Sequence, residues 1–225
     1  MISNLPVFVS IIFIVTTILT VFLFYKASGK SKTGLVIVFI WLLVQAVFGL
    51  AGFYRVTDTF PPRFILLALP AVLLIIILFL SAKGRSFISK LDTKTLTLLH
   101  IVRVPVELTL YWLFINKAVP QVMTFEGRNF DIFAGITAPV VYYFGYIKNS
   151  LNRLFLITWN LVSLGLLFNI VTIAILSLPT PFQQFGFGQP NMAVFHFPFV
   201  WLPACVVPLV LFAHLATLRK LISGK

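Results

Sequence analysis

The chain has 225 residues, of which 60% are hydrophobic and only 10% charged, and its formal net charge is +12. A soluble domain carries roughly 25% charged residues, so this composition excludes an ordinary water-soluble protein and predicts an all-α integral membrane protein, with residues 1–225 as one polytopic membrane domain. A basic excess of this size would suggest nucleic acid in a soluble chain, but here its distribution over the loops gives another explanation.

Apolar runs near 5–25, 34–54, 63–82, 95–116, 131–147, 153–178 and 195–218 approach or exceed the length needed to span, about 20 residues. Hydrocarbon offers no water to the backbone, so each run is expected as a helix, giving a seven-transmembrane-helix bundle. The first, LPVFVSIIFIVTTILTVFLF, has no basic segment before it and no small-residue cleavage site after it. It is expected to be retained, with the mature chain starting at Met1. Of the seventeen Lys and Arg residues, twelve fall in loops on one side, four (Arg55, Arg63, Lys117 and Arg128) on the other, and Arg103 in the membrane. By the positive-inside rule this places the N-terminus outside and the C-terminus in the cytoplasm, in a plasma membrane or bacterial inner membrane. The basic excess is thereby assigned to topology, and no nucleic-acid partner is expected.

The second run contributes Gln45 as a buried polar candidate. IWLLVQ from Ile40 has a faint echo in TWNLVS from Thr158, and LPA recurs at Leu69 and Leu202. Such echoes would fit a parallel repeat of helices 1–3 and 5–7 with helix 4 as linker.

The fourth run, LHIVRVPVELTLYWLF, carries the main signal. His100, Arg103, Glu107 and Tyr111 fall within an arc of roughly 80° on a helix advancing 100° per residue. A lone charge at mid-span costs at least about 2.5–3.5 kcal/mol, so this stripe must face the bundle interior. An intrahelical Arg103–Glu107 pair across four residues is the expected neutralisation. The stripe serves either as helix-to-helix glue or as a site where Glu107 exchanges a proton and Arg103 holds an anion.

Before the fifth run, TFEGRNFD places Glu126, Arg128 and Asp131 at the outer mouth. Asp131 or Asn129 is a candidate N-cap, and Arg128 is a candidate partner for one of the acids. In the sixth run Asn152, Trp159, Asn160 and Ser163 cluster on one side, and Asn160 is the candidate to line a cavity with Gln45. In the seventh, His196 and His214 lie at opposite ends and share no metal, so no metal site is expected. His100 and His214 sit at similar depth, which permits a bis-histidine haem to be drawn, although no attachment motif accompanies them and no cofactor is the leading expectation. His214 near a helix end would otherwise cap the dipole. Cys205, the single cysteine, is expected as an apolar packing residue.

The seventh run has no lysine between Phe195 and Leu218 for a Schiff base, and the chain has no phosphate-binding glycine loop and no nucleophile with a base at helical spacing. No catalytic motif supports an enzyme. Two readings stand: a carrier or ligand-binding protein for a small polar or anionic solute, with a proton as candidate coupling ion, or a non-catalytic subunit held to a membrane-protein partner or to its own copies. Both leave the lipid bilayer as the first partner. A hydrated cavity beside Glu107 favours the first, a dry packed core the second.

Overall fold

The computed structural model describes residues 2, 5–57, 59 and 61–223, and among these every regular element is helical. The rods in chain order are α1 (Val7–Ala27), α2 (Lys32–Leu50), α3 (Ile65–Leu80), α4 (Ala82–Lys90), α5 (Thr93–Ile115), α6 (Ile132–Ile147), α7 (Arg153–Leu176) and α8 (Leu202–Ser223). Five of them, α1, α2, α5, α7 and α8, are long and apolar enough to cross a membrane. Several starts are fixed by side-chain caps: Ser31 accepts from Gly34 N–H, Ser81 from Gly84 N–H, Asp92 from Thr95 N–H and Asn152 from Phe155 N–H. Each satisfies a backbone donor that the first helical turn leaves open.

The surface is inverted relative to a soluble protein. Along α1, Val7, Ile11, Ile18 and Phe22 are more than half exposed, while Thr16, Thr17 and Thr20 are buried with Val9, Phe13 and Leu23. The threonine hydroxyls donate back to carbonyls one turn earlier, Thr16 to Ile12, Thr17 to Phe13 and Thr20 to Thr16. An apolar exterior of this extent is untenable in water and natural in lipid.

The third run departs from one straight span. α3 ends at Leu80 and α4 leaves it at 92°, turning Lys83, Arg85 and Lys90 across the end of the bundle. Gly84 makes the elbow possible, because a Cβ there would overlap the Leu78 backbone. Gly84 and Ile88, one turn apart, form the buried face of α4.

α5 tightens into a 3-10 turn at His100–Val102 before continuing as α-helix from Arg103. Pro105 lacks the N–H that would have bonded one turn back, and a tighter turn accommodates that loss. α5 packs against α1, α6 and α8 at the centre of the bundle. The seventh run is displaced along the chain: 195–200 is the end of a 3-10 turn and a loop, and α8 begins with a π-turn at Leu202–Val206 and runs on to Ser223.

α6 is short. It holds Pro139 and ends in a π-turn at Tyr143–Ile147, and at 1.5 Å per residue it measures about 24 Å, less than the ~30 Å of hydrocarbon. Two long connections, residues 116–131 and 177–200, fold over the end it leaves open. Met192 and Ala193 N–H both donate to Ala118 O at 3.0 and 3.1 Å, and Asn191 N–H donates to Ser177 O at 2.8 Å. The Gln189 amide donates to Phe114 O at 2.9 Å.

Candidate functional site

Arg103 stands near the middle of α5 and is 2% exposed. Its guanidinium gathers three elements. Nη1 lies 3.2 Å from Asp131 Oδ1 just ahead of α6 and donates to Ser163 O of α7 at 3.1 Å. Nη2 lies 3.1 Å from His214 Nε2 of α8. The close approach that brings Asp131 into reach is made one turn later, at Gly135, where a Cβ would meet Val104 N at 2.9 Å and Arg103 Cβ at 3.1 Å.

Donor logic assigns the tautomer of His214. A guanidinium only donates, so Nε2 must accept, and Nδ1 carries the hydrogen. Nδ1–H then donates to Asn160 Oδ1 at 2.9 Å, and the Asn160 amide donates onward to Leu156 O at 2.8 Å. His100 lies flat against His214, with ring centroids 3.8 Å apart and planes 16° apart, and Trp159 meets its edge at 5.6 Å. Both His100 nitrogens are fully buried without a hydrogen-bond partner among the described residues. Rings in van der Waals contact leave no width for a macrocycle between them, so this arrangement does not fit a haem bracketed by His100 and His214.

Glu107 is 1% exposed. Its Oε2 accepts from Asn129 Nδ2 at 2.6 Å, and the same amide donates to Met123 O at 3.0 Å. Asn129 Oδ1 accepts from the Asp131 main-chain N–H at 3.0 Å, so one asparagine links the Glu107 carboxyl to the backbone at Asp131.

The expected intrahelical Arg103–Glu107 pair is thus replaced. The only salt bridge among the described residues is Arg103–Asp131, because Asp131 enters from the mouth of the short α6 and occupies the guanidinium first. Asp131 is buried rather than exposed at a mouth; it holds the N-cap position of α6, but its side chain makes no capping hydrogen bond, and Asn129 spends its oxygen on Asp131 N–H. Glu126 and Arg128 do remain exposed. Among the described residues Arg128 makes no pair with an acid, and it lies 5.9 Å from the Phe185 ring. His214 is not a helix-end cap, since α8 runs past it to Ser223.

Tyr111 is half-buried and stacks on Phe125 at 5.0 Å, one turn beyond Glu107. Gln45 stands apart: it accepts from Tyr54 O–H at 2.6 Å, on the 3-10 turn that follows its own helix. The contacts of Asn129 with Glu107 and of His214 with Arg103 have no signal in the sequence, since each joins elements far apart along the chain. Two cavities stand out, an apolar groove of about 630 Å³ between α2, α3 and α8 and a basic pocket of about 460 Å³ between α4 and the end of α8, and no member of the cluster lines either.

A family model described as a domain of unknown function (DUF8737) matches residues 60–222. No curated protein and no solved structure matches the chain.

Proposed function

The chain belongs to the DUF8737 family, and from the charge balance of the cluster inside the matched region we propose that it is a proton-linked membrane carrier for a small anionic solute. The observation that carries this is one guanidinium set against two buried carboxyls, Asp131 in contact and Glu107 held only by an amide. An uncompensated buried charge is expensive, so one resident proton balances the set, and Glu107, with no cation in contact among the described residues, is its seat. Asp131 occupies the position at Arg103 that a carboxylate or phosphate solute would take. Binding the solute releases Asp131, which then needs a proton of its own, and solute and proton move together.

In this reading seven helices span, with the α3–α4 elbow closing the third and α6 as a short fifth span, the N-terminus outside and the C-terminus cytoplasmic. Cysteine labelling in a Cys205→Ala background tests the orientation. Gly186 has a left-handed φ of 67° and a Cβ there would meet Pro120 at 2.8 Å, so the exposed Phe187 is the better outer position. An impermeant maleimide should label Phe187→Cys and spare Lys32→Cys in intact cells. Labelling of both would overturn the topology.

A second reading, a non-catalytic subunit in a larger assembly, is favoured by the closure of the cluster: His100, Arg103, Glu107, Asn129, Asp131, Asn160 and His214 are all 5% exposed or less. Uptake separates the two. Reconstituted vesicles loaded with a pH dye should acidify inside when lactate, succinate or phosphate is offered, and Glu107→Gln should abolish the signal while the helical spectrum stays intact. Equal acidification by wild type and variant would remove Glu107 from the mechanism. Loss of partner assembly with no solute-dependent flux in wild type would establish the subunit.

A further inference from the structure

The end of the bundle at which α4 turns aside carries a second polar site, unrelated to the Arg103 cluster. Arg85, Ile88 and Ser89 from α4 face Arg219, Lys220, Ile222 and Ser223 from the end of α8 across a pocket of about 460 Å³. Two arginines, a lysine and two serines therefore converge from segments about 130 residues apart in sequence, with no acid among the lining residues. Asp92, the acid next along the chain, is engaged in capping α5 through Thr95.

The pocket is held open by contacts that do not use its two arginines for its walls. Lys220 Nζ donates to Ser89 O at 3.1 Å and to Leu91 O, tying α8 to the C-terminal end of α4. Arg153 Nη2 donates to Ile222 O at 2.8 Å and fixes the other side. Arg85 engages Leu80 O through a single nitrogen. The Arg219 guanidinium lies 6.0 Å from the Phe79 ring, and both arginines are exposed.

Topology alone would scatter cations over this end, but it gives no reason for them to face one another across a gap. We propose that this pocket binds the phosphate headgroup of an anionic membrane lipid. Forked guanidinium groups match phosphate oxygens, and basic pockets between membrane helices at the interface take such headgroups. Lipid rather than free phosphate is indicated by position and lining. The 92° turn after Leu80 places Arg85 at the level where α3 ends, and Ile222, 65% exposed, puts apolar surface beside the cations.

The test uses the full chain purified in detergent, with native mass spectrometry and thermal unfolding as readouts. Phosphatidylglycerol should be retained about thirtyfold over phosphatidylcholine, the factor expected from two interfacial arginines, and should raise the melting temperature. Arg85→Gln/Arg219→Gln should lose that preference, whereas Lys32→Gln/Lys148→Gln, which removes equal charge elsewhere at this end, should keep it. Equal retention of the two lipids, or equal loss in both double variants, would overturn the pocket as a lipid site. A melting shift reproduced by inorganic phosphate at the same concentration would overturn the lipid as its occupant.

Discussion

Arg103→Leu is expected to destabilise the protein by about 3–5 kcal/mol, the penalty for removing one partner of a buried ion pair and leaving the other charge stranded. Asp131 would lose its cation, His214 Nε2 its donor and Ser163 O one of its donors. Arg103→Lys should recover only part of the loss, because an ammonium on a flexible stem cannot serve three partners in the planar geometry of the fork. The decisive variant is Arg103→Leu/Asp131→Leu. Replacing both members by apolar groups is often neutral or stabilising, so the double variant should regain most of the lost melting temperature in detergent. It should still show no solute-driven acidification in vesicles. A double variant that transports would remove Arg103 and Asp131 from the transport mechanism, and one no more stable than Arg103→Leu alone would show that the pair is not what the single substitution disrupts.

Gly135→Leu is expected to act on the same pair from a distance. A Cβ at this position meets Val104 N and Cγ2 at 2.9 Å, and backbone atoms cannot rotate away, so α6 must shift off α5. Overpacking of this kind costs about 1–3 kcal/mol. Because Asp131 is one turn from Gly135, the shift also draws the carboxylate out of reach of Arg103, which puts the effect at the upper end of that range. Gly165 on α7 is the internal control, with nothing within 4 Å of its Cβ position; Gly165→Ala should leave the melting temperature unchanged or raised, by up to about 1 kcal/mol of helix propensity. Equal effects at the two glycines would mean that the α5–α6 contact does not position the site.

The stripe on α5 was legible from the sequence because helical periodicity is a local property: His100, Arg103 and Glu107 share a face whatever surrounds them. Their partners were not. Asp131 and Asn129 precede an apolar run and so read as surface residues, since hydropathy gives the extent of a helix but not the depth at which it starts. A short α6 brings that start to the level of Arg103. His214 was misplaced for a related reason: counting the seventh span from Phe195 rather than from Leu202 puts it near an end instead of within the rod. Gln45 is buried, at 1% exposed, but its partner is Tyr54 and not Asn160, and Tyr54 stands on a 3-10 turn that hydropathy cannot separate from the end of helix 2. The elbow at Leu80 left one trace, a cluster of basic residues directly after an apolar run, which loop counting had already spent on topology.

Residues 116–131 and 177–200 close their end of the bundle with hydrogen bonds onto main-chain carbonyls, donated by the backbone N–H groups of Asn191, Met192 and Ala193 and by the Gln189 and Asn191 side-chain amides. A side-chain gate swings by rotamer changes in picoseconds to nanoseconds, whereas a seal that includes backbone-to-backbone bonds opens only by local unfolding, on microseconds to seconds. Any solute reaching Glu107 from that end therefore waits for the bonds at Ala118 and Ser177 to break together. For the carrier proposed above, turnover from this side would then be set by the cap and not by the affinity of Arg103, and it should rise steeply with temperature while hydrogen exchange at Asn191, Met192 and Ala193 rises in step.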